Sequence, residues 1–296
     1  YARCIDFSNA KAGNIYTAFC SQSKILRINP DKTTDEPVYA GLICPEKISS
    51  YEDILLVADS AAGNVKLYNF SGSLLRIIGN SAGNVNTVKP AGIAISPDNN
   101  VYVSDSGVNK VLVYSLTGEY LSEFGSNGSL KGQFISPEDI VFNPEGNIFV
   151  LDTGNKRVQV FSPENAYLYS FNVDSGSLLS MAYGGNGMLF IAVEKNGITR
   201  INVYSETGSY LMQAGEDGAS VAAMDNSGAL MAAGINSAGL KSYVPCSQLT
   251  PETVLPPSRI DLISSSVNTE ALKGNWQSLE VSGVITAEIE NQGIKN

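Results

Sequence analysis

The 296-residue chain contains no histidine, one tryptophan and only 19 lysines and arginines. Without histidine there can be no His-ligated zinc or haem, and no Ser-His-Asp or Cys-His nucleophile pair. The usual general base near neutral pH is missing too. Catalysis would have to rest on carboxylates, lysine, tyrosine or a hard cation held by oxygen ligands. The shortage of bases also bears on partners. The formal net charge is -10 and the pI is near 4.6, whereas nucleic-acid binding begins with a surplus of Lys and Arg. No apolar run approaches the roughly 18–20 residues that span a bilayer. No Cys-x-x-Cys pair offers a redox or thiolate zinc motif, and no Asp-x-Asp-x-Asp-Gly loop offers a dedicated calcium site. The sequence implies no cofactor.

What remains is globular: 43% hydrophobic and 16% charged, with 28 glycines and 14 tyrosines. This length suits one large all-β domain or two ordinary ones. The chain opens at Tyr1 rather than Met, which points to a processed form.

The organising feature is a repeat. Asn64–Asn69, Lys110–Ser115 and Arg157–Ser162 are short apolar/polar alternations containing a late aromatic, which is strand periodicity. A turn signal follows each: Ser71-Gly72, Thr117-Gly118 and Pro163-Glu164. An apolar strand ending in Asp59, Asp105 or Asp152 precedes each. With that position as a ruler, six copies fall at Phe19, Asp59, Asp105, Asp152, Val193 and Gly234, in steps of 40, 46, 47, 41 and 41. A period of roughly 40–50 residues with about four strands per unit is that of a β-propeller blade.

The stretch Phe124–Phe134, followed by Pro137-Glu-Asp-Ile140, Gly146–Asp152 and Asn155–Phe161, resembles an NHL repeat. The copy around Gly92 to Gly125 matches nearly as well. The resemblance extends over about residues 1–246. It implies an all-β, six-bladed NHL-like propeller over residues 1–264, with residues 265–296 as a strand-containing extension. Among similar propellers, the peptide-amidating and streptogramin-type lyases depend on histidines that this chain lacks. The gluconolactonase-like propellers use carboxylate and Asn ligands to a divalent metal, and their motifs are not evident here. The RNA-binding NHL domains use a basic face, against the acidic balance of this chain.

Closing such a ring needs an outer strand for the last blade, either Thr253–Leu255 or Arg259–Ile263, the later segment being favoured. Beyond it, Gln277–Glu290 alternates like a strand pair. It either packs on the propeller's side or adds to a neighbouring subunit. Trp276, Val284, Ile285 and Ile289 are the candidate assembly contacts. The four cysteines fit two disulfides in an oxidising compartment. Cys20 and Cys44 should share a propeller face, which favours Cys20–Cys44 and leaves Cys4–Cys246 to clasp the first and last blades. Asn69-Phe-Ser71 and Asn127-Gly-Ser129 match the glycosylation acceptor pattern.

Two readings exist for the recurring aspartates. One is a metal ring; the favoured one is that each accepts backbone N–H bonds in the adjoining turn. Glu46, Glu138 and Asp139 should begin inner strands at the channel mouth, where they could gather oxygen ligands for a cation or be solvated charge. The long loops Asn80–Lys89 and Ser126–Ser136 are the natural recognition surface. Asn127, Lys131 and Gln133 are their polar candidates for ligand binding, with Glu138 and Asp139 beside them. The resulting expectation is a non-catalytic, secreted, extracellular or cell-surface protein, the periplasm included. It acts through protein–protein contacts as a self-associating subunit of a surface assembly or filament. The alternative is a module binding a protein, peptide or glycan on the loop face. The third reading is a metal-dependent, carboxylate-based hydrolase or lyase.

Overall fold

A computed structural model describes residues 7–9, 14–28, 34–35, 39–79, 86–173, 176–184, 187–214, 221–224, 230–233, 240–243, 262–263, 265–266, 276–281 and 285–290. Strands before residue 14 and after residue 214 are described as backbone.

The protein is an all-β propeller. The first sheet holds β1 (Phe7–Asn9), β2 (Ile15–Phe19), β3 (Lys24–Ile28) and β4 (Thr34–Asp35). The second blade is β5 (Pro45–Tyr51), β6 (Ile54–Asp59), β7 (Asn64–Asn69) and β8 (Leu74–Ile78). The third is β9 (Pro90–Ile95), β10 (Asn100–Asp105), β11 (Lys110–Ser115) and β12 (Tyr120–Phe124). The fourth is β13 (Pro137–Phe142), β14 (Ile148–Asp152), β15 (Arg157–Phe161) and β16 (Tyr167–Asn172). The fifth is β17 (Ser177–Gly184), β18 (Met188–Lys195), β19 (Ile198–Ser205) and β20 (Tyr210–Ala214). The second to fifth are the four blades defined to their side chains, against the six expected. A further sheet joins β21 (Val221–Met224), β22 (Leu230–Ala233) and β23 (Leu240–Tyr243) to β25 (Ser265–Ser266). The strand beside β23 thus lies beyond both stretches expected to supply it. Of these, Thr253–Leu255 falls outside the described residues. β24 (Leu262–Ile263) instead pairs with β27 (Ile285–Glu290), which is hairpin-paired with β26 (Trp276–Val281).

The second and third strands of the second, third and fourth blades are buried on both faces, because each of these blades is sandwiched between two others. Phe149, Leu151, Val158 and Val160 pack on Leu178, Met181, Leu189 and Ile191 of the fifth blade. The alternate residues Ile148, Val150 and Phe161 face Tyr102, Val111 and Val113 of the third. This period-2 sharing explains why these strands read as nearly continuous apolar runs. Each fully buried Val, Leu, Ile or Phe contributes about 1.5–3 kcal/mol.

One irregularity repeats and positions the site. In the inner strands of the second to fourth blades the register shifts just after the first paired residue, and in that of the fifth just after the second. Pro45 faces Asp59 and Lys47 faces Ala58; Pro137 faces Asp152 and Asp139 faces Leu151. The unpaired bulge residues are Glu46 and Glu138, with Ala91 and Leu179 in the same places in the third and fifth blades. A bulge bends the strand and re-aims the next side chain. Proline is tolerated as the first residue of a strand, so Pro45, Pro90 and Pro137 begin theirs. Among the described residues, no helix is long and apolar enough to cross a membrane.

Candidate functional site

The recurring aspartates come first, because they hold the loop face together. Asp59, Asp105 and Asp152 are fully buried. Each accepts backbone N–H bonds from the residues that lead into the inner strand of its own blade. Ile43 N and Cys44 N donate to Asp59 at 2.9 and 2.8 Å. Val88 N and Lys89 N donate to Asp105 at 2.6 and 3.0 Å. Ile135 N donates to Asp152 at 2.8 Å. Gly107 N also donates to Asp105 at 2.8 Å. Lys66 Nζ lies 2.6 Å from Asp59, and Arg157 Nε 2.8 Å from Asp152. The carboxylates are therefore fasteners with their lone pairs occupied, as the backbone reading expects, and not a metal ring.

Their effect is to present one side chain per blade. The residue two places before each inner-strand proline is Ile43, Val88 or Ile135, and its N–H is among those the buried aspartate holds. These side chains are 55, 56 and 39% exposed. Leu130, at the tip of the 125–136 loop, is 70% exposed. The loop side thus carries one exposed aliphatic on fixed backbone in each of the second to fourth blades, and Leu130 at the tip of the loop.

The 125–136 loop is also fastened from below. Arg157 Nη2 donates to Leu130 O and Gln133 O, both at 2.8 Å. The buried Gln159 donates to Gln133 O at 2.6 Å and accepts from Gly132 N at 3.0 Å. Phe134 is buried beneath the loop; a Cβ on Gly125, at φ +93°, would fall 2.4 Å from its ring. Of the polar candidates, Gln133 is engaged in the loop, its Oε1 accepting from Leu130 N at 3.1 Å. Lys131 is exposed and places Nζ 5.7 Å from the centre of the Tyr167 ring. Asn127 is exposed at the loop's other end. Asn69 of the other acceptor pattern instead closes its own turn, accepting from Ser73 N at 2.8 Å.

At the channel mouth, the residue after each bulge is Lys47, Gly92, Asp139 or Ser180. Lys47 of the second blade reaches past the third to Asp139 of the fourth, Nζ to Oδ2 at 2.7 Å. Asp139 also accepts from Met181 N of the fifth blade at 2.8 Å and from Ile140 N at 2.9 Å. One buried carboxylate thus ties three blades together. A Cβ on Gly92 would lie 2.6 Å from Ser104 Oγ and 2.8 Å from Asp139 Cα, so only glycine allows this approach. Glu138, half-buried, stands beside Asp139.

Cys20 and Cys44 are disulfide-bonded, linking the end of β2 to the loop that Asp59 holds. Glu46 lies near them, but with both thiols in the bond this trio is no metal site. Cys4, Cys246 and Val284 lie outside the described residues. Trp276, Ile285 and Ile289 fall on β26 and β27. Burial raises the Tyr68 hydroxyl to about 12, with the Asp59 charge adding to the shift. Burial, then the hydrogen bond to Glu206, raises Tyr183 as well.

Sequence reasoning missed Ile43, Val88, Ile135 and Lys47. The signal was present for the first three, since an aliphatic stands two residues before the proline in each copy.

The NHL repeat pattern matches at residues 87–114 and 134–161, the third and fourth blades. No curated protein matches the sequence. Among solved structures, a streptogramin B lyase is 9% identical, with a TM-score of 0.63 over 97% of this chain and 92% of its own. A gluconolactonase from Xanthomonas campestris is 13% identical, with a TM-score of 0.64 over 79% of this chain and 84% of its own. A chain of a nidogen/laminin complex is 15% identical, with a TM-score of 0.59 over 71% of this chain and 78% of its own. At these identities the likeness is one of fold. It corrects the expectation that the chain is not an enzyme. Lyases and gluconolactonases are built on this architecture, so the absence of histidine does not place the chain outside the catalytic propellers.

Proposed function

We propose that this chain is an extracellular propeller that works through protein–protein contact, with the loop face as its contact surface. The observation that carries the reading is the set of exposed aliphatics, Ile43, Val88, Leu130 and Ile135, held on loops that buried side chains fasten. Exposed aliphatics repeated at one position of successive blades offer apolar groups to a partner, and a rigid scaffold lowers the ordering cost of binding. The Cys20–Cys44 bond supports an oxidising compartment. The fold shared with a chain of a nidogen/laminin complex is a precedent for protein contact on this architecture. In this reading residues 1–264 form a six-bladed ring, and residues 265–296 extend it, tied back through Ser265–Ser266. The setting is a surface assembly in which the protein is a structural subunit. The test is the triple variant Val88→Asp, Leu130→Asp, Ile135→Asp produced in the source cells. It should fold, with an unchanged circular dichroism spectrum, and be released from the surface into the medium. Retention at the wild-type level would set the reading aside.

A second reading has one observation in its favour: a lysine and a buried carboxylate converge at the channel mouth. Under it, the channel is a catalytic cleft for a carboxylate-based reaction. Purified protein would be assayed against glucono-δ-lactone with a panel of divalent ions. Turnover lost in Asp139→Asn supports it, and no turnover with any ion counts against it.

A further inference from the structure

On the third and fourth blades, the described loop segments and the turns of the opposite face carry opposite charge. On the loop side of the third and fourth blades, the described segments 86–89, 106–109, 125–136 and 153–156 contain Lys89, Lys131 and Lys156, all exposed, and no Asp or Glu. Of the carboxylates flanking these segments, Glu138 is half-buried at the channel mouth and the others are committed elsewhere. Asp105 and Asp152 are buried fasteners, and Glu123 is paired with Lys110. Two of the three lysines directly follow or precede the apolar set, in Val88-Lys89 and Leu130-Lys131.

The opposite face is formed by the turns between first and second and between third and fourth strands. In the second to fifth blades these turns carry Glu52, Asp53, Asp98, Glu119, Glu145, Glu164 and Glu206. Among their described residues there is no Lys or Arg; Arg27 and Arg76 reach two of them from strands, donating to Phe70 O and Thr117 O. Three of the acids follow an exposed proline: Pro97-Asp98, Pro144-Glu145 and Pro163-Glu164. A Cβ on Gly146 would lie 3.3 Å from Pro163 and 4.0 Å from Pro97, so the Pro97 and Pro163 rings flank one spot among the carboxylates.

Each face thus pairs apolar groups with charge, and the signs are complementary. We infer that the loop face of one molecule binds the turn face of a second copy, in a head-to-tail stack. Lys89, Lys131 and Lys156 meet Asp98, Glu145 and Glu164, while Val88, Leu130 and Ile135 meet the prolines. Two different patches of one chain make a heterologous contact. Such a contact closes into a ring or propagates as an open filament. The two like faces repel, which selects this polarity over face-to-face pairing. The inference rests on the loop-face reading and adds the identity of the partner.

The test uses the full chain and two charge-reversed variants, followed by sedimentation velocity over a concentration series. One variant is Lys89→Glu, Lys131→Glu, Lys156→Glu; the other is Asp98→Lys, Glu145→Lys, Glu164→Lys. The wild type should grow from the 31.4 kDa monomer into larger species with concentration. Growth should be strongest near 0.01 M salt, where charges act over about 30 Å, and weaker near 1 M, where they act over about 3 Å. Each variant alone should self-associate more than about tenfold more weakly. Mixed together they should associate again, because one supplies a native loop face and the other a native turn face. A wild type that stays monomeric throughout overturns the inference, as does a mixture that stays dissociated. Association lost in the lysine variant but kept in the acid variant overturns the head-to-tail partner while sparing the loop face. Association kept in both overturns the inference and the loop-face reading together.

Discussion

Replacing Asp59 with asparagine is the sharpest test of how the loop face is held. In the native protein one oxygen accepts from Ile43 N at 2.9 Å and Lys66 Nζ at 2.6 Å, and the other from Cys44 N at 2.8 Å. Asparagine keeps one acceptor and turns the other into an N–H donor. That donor must face either the Lys66 ammonium or the Cys44 N–H. The Lys66 side chain is only 5% exposed, so its charge loses its counterion without gaining water. Breaking one side of a buried pair costs about 3–5 kcal/mol. An unsatisfied backbone N–H adds about 1–3 kcal/mol. A total of about 4 kcal/mol or more is expected in urea denaturation followed by tyrosine fluorescence, with an unchanged m-value. Removing the stranded charge as well, in Asp59→Asn with Lys66→Met, should recover about half or more of the loss. A loss below about 1 kcal/mol, or no recovery in the double variant, would refute the reasoning.

Gly92→Ala should destabilise by about 1–3 kcal/mol, because its Cβ collides with Ser104 Oγ and the Asp139 backbone; thermal unfolding measures it. Cys20→Ser with Cys44→Ser should cost about 3.5 kcal/mol in the chain-entropy model, since the bond spans 24 residues; urea denaturation of oxidised and variant protein decides. Burial, and then the Asp59 charge, push the Tyr68 hydroxyl above the ordinary tyrosine range of about 10, up to about 12. The folded state therefore favours the neutral phenol. That stabilisation is complete below pH 10 and is lost as pH rises toward 12, so alkaline unfolding should fall in that window. Tyrosinate absorbance should show a late-titrating fraction, and its absence would count against the buried hydroxyl.

Much of the fold was legible because repetition marks it. The alternation in Arg157–Phe161, the apolar run in Ile148–Asp152 and the turn at Asn143–Gly146 are local signals, and the strands lie where they point. The aspartate row was legible for the same reason, and its role as a backbone acceptor follows from its place at a strand end. What was not legible depends on contacts between blades. Lys47 and Asp139 are 92 residues apart and meet only because the inner strands converge. Gln159 reads as the polar position of an alternating strand, yet it is buried because the 125–136 loop folds over it. The exposure of Ile43, Val88 and Ile135 runs against the expectation that aliphatics beside a strand are covered. It becomes visible only once the aspartates are seen to hold their backbone. The reading of no catalysis failed for a different reason. A missing residue type excludes particular mechanisms, whereas the fold admits others.

The measurement that bears most directly on the loop face as a contact surface is lysine acylation footprinting. Modification rates would be compared between native surface material and purified monomer. Lys89, Lys131 and Lys156 should be several-fold slower in native material, with Lys195 of the fifth blade little changed. Equal rates at all three lysines in the two samples would contradict the account.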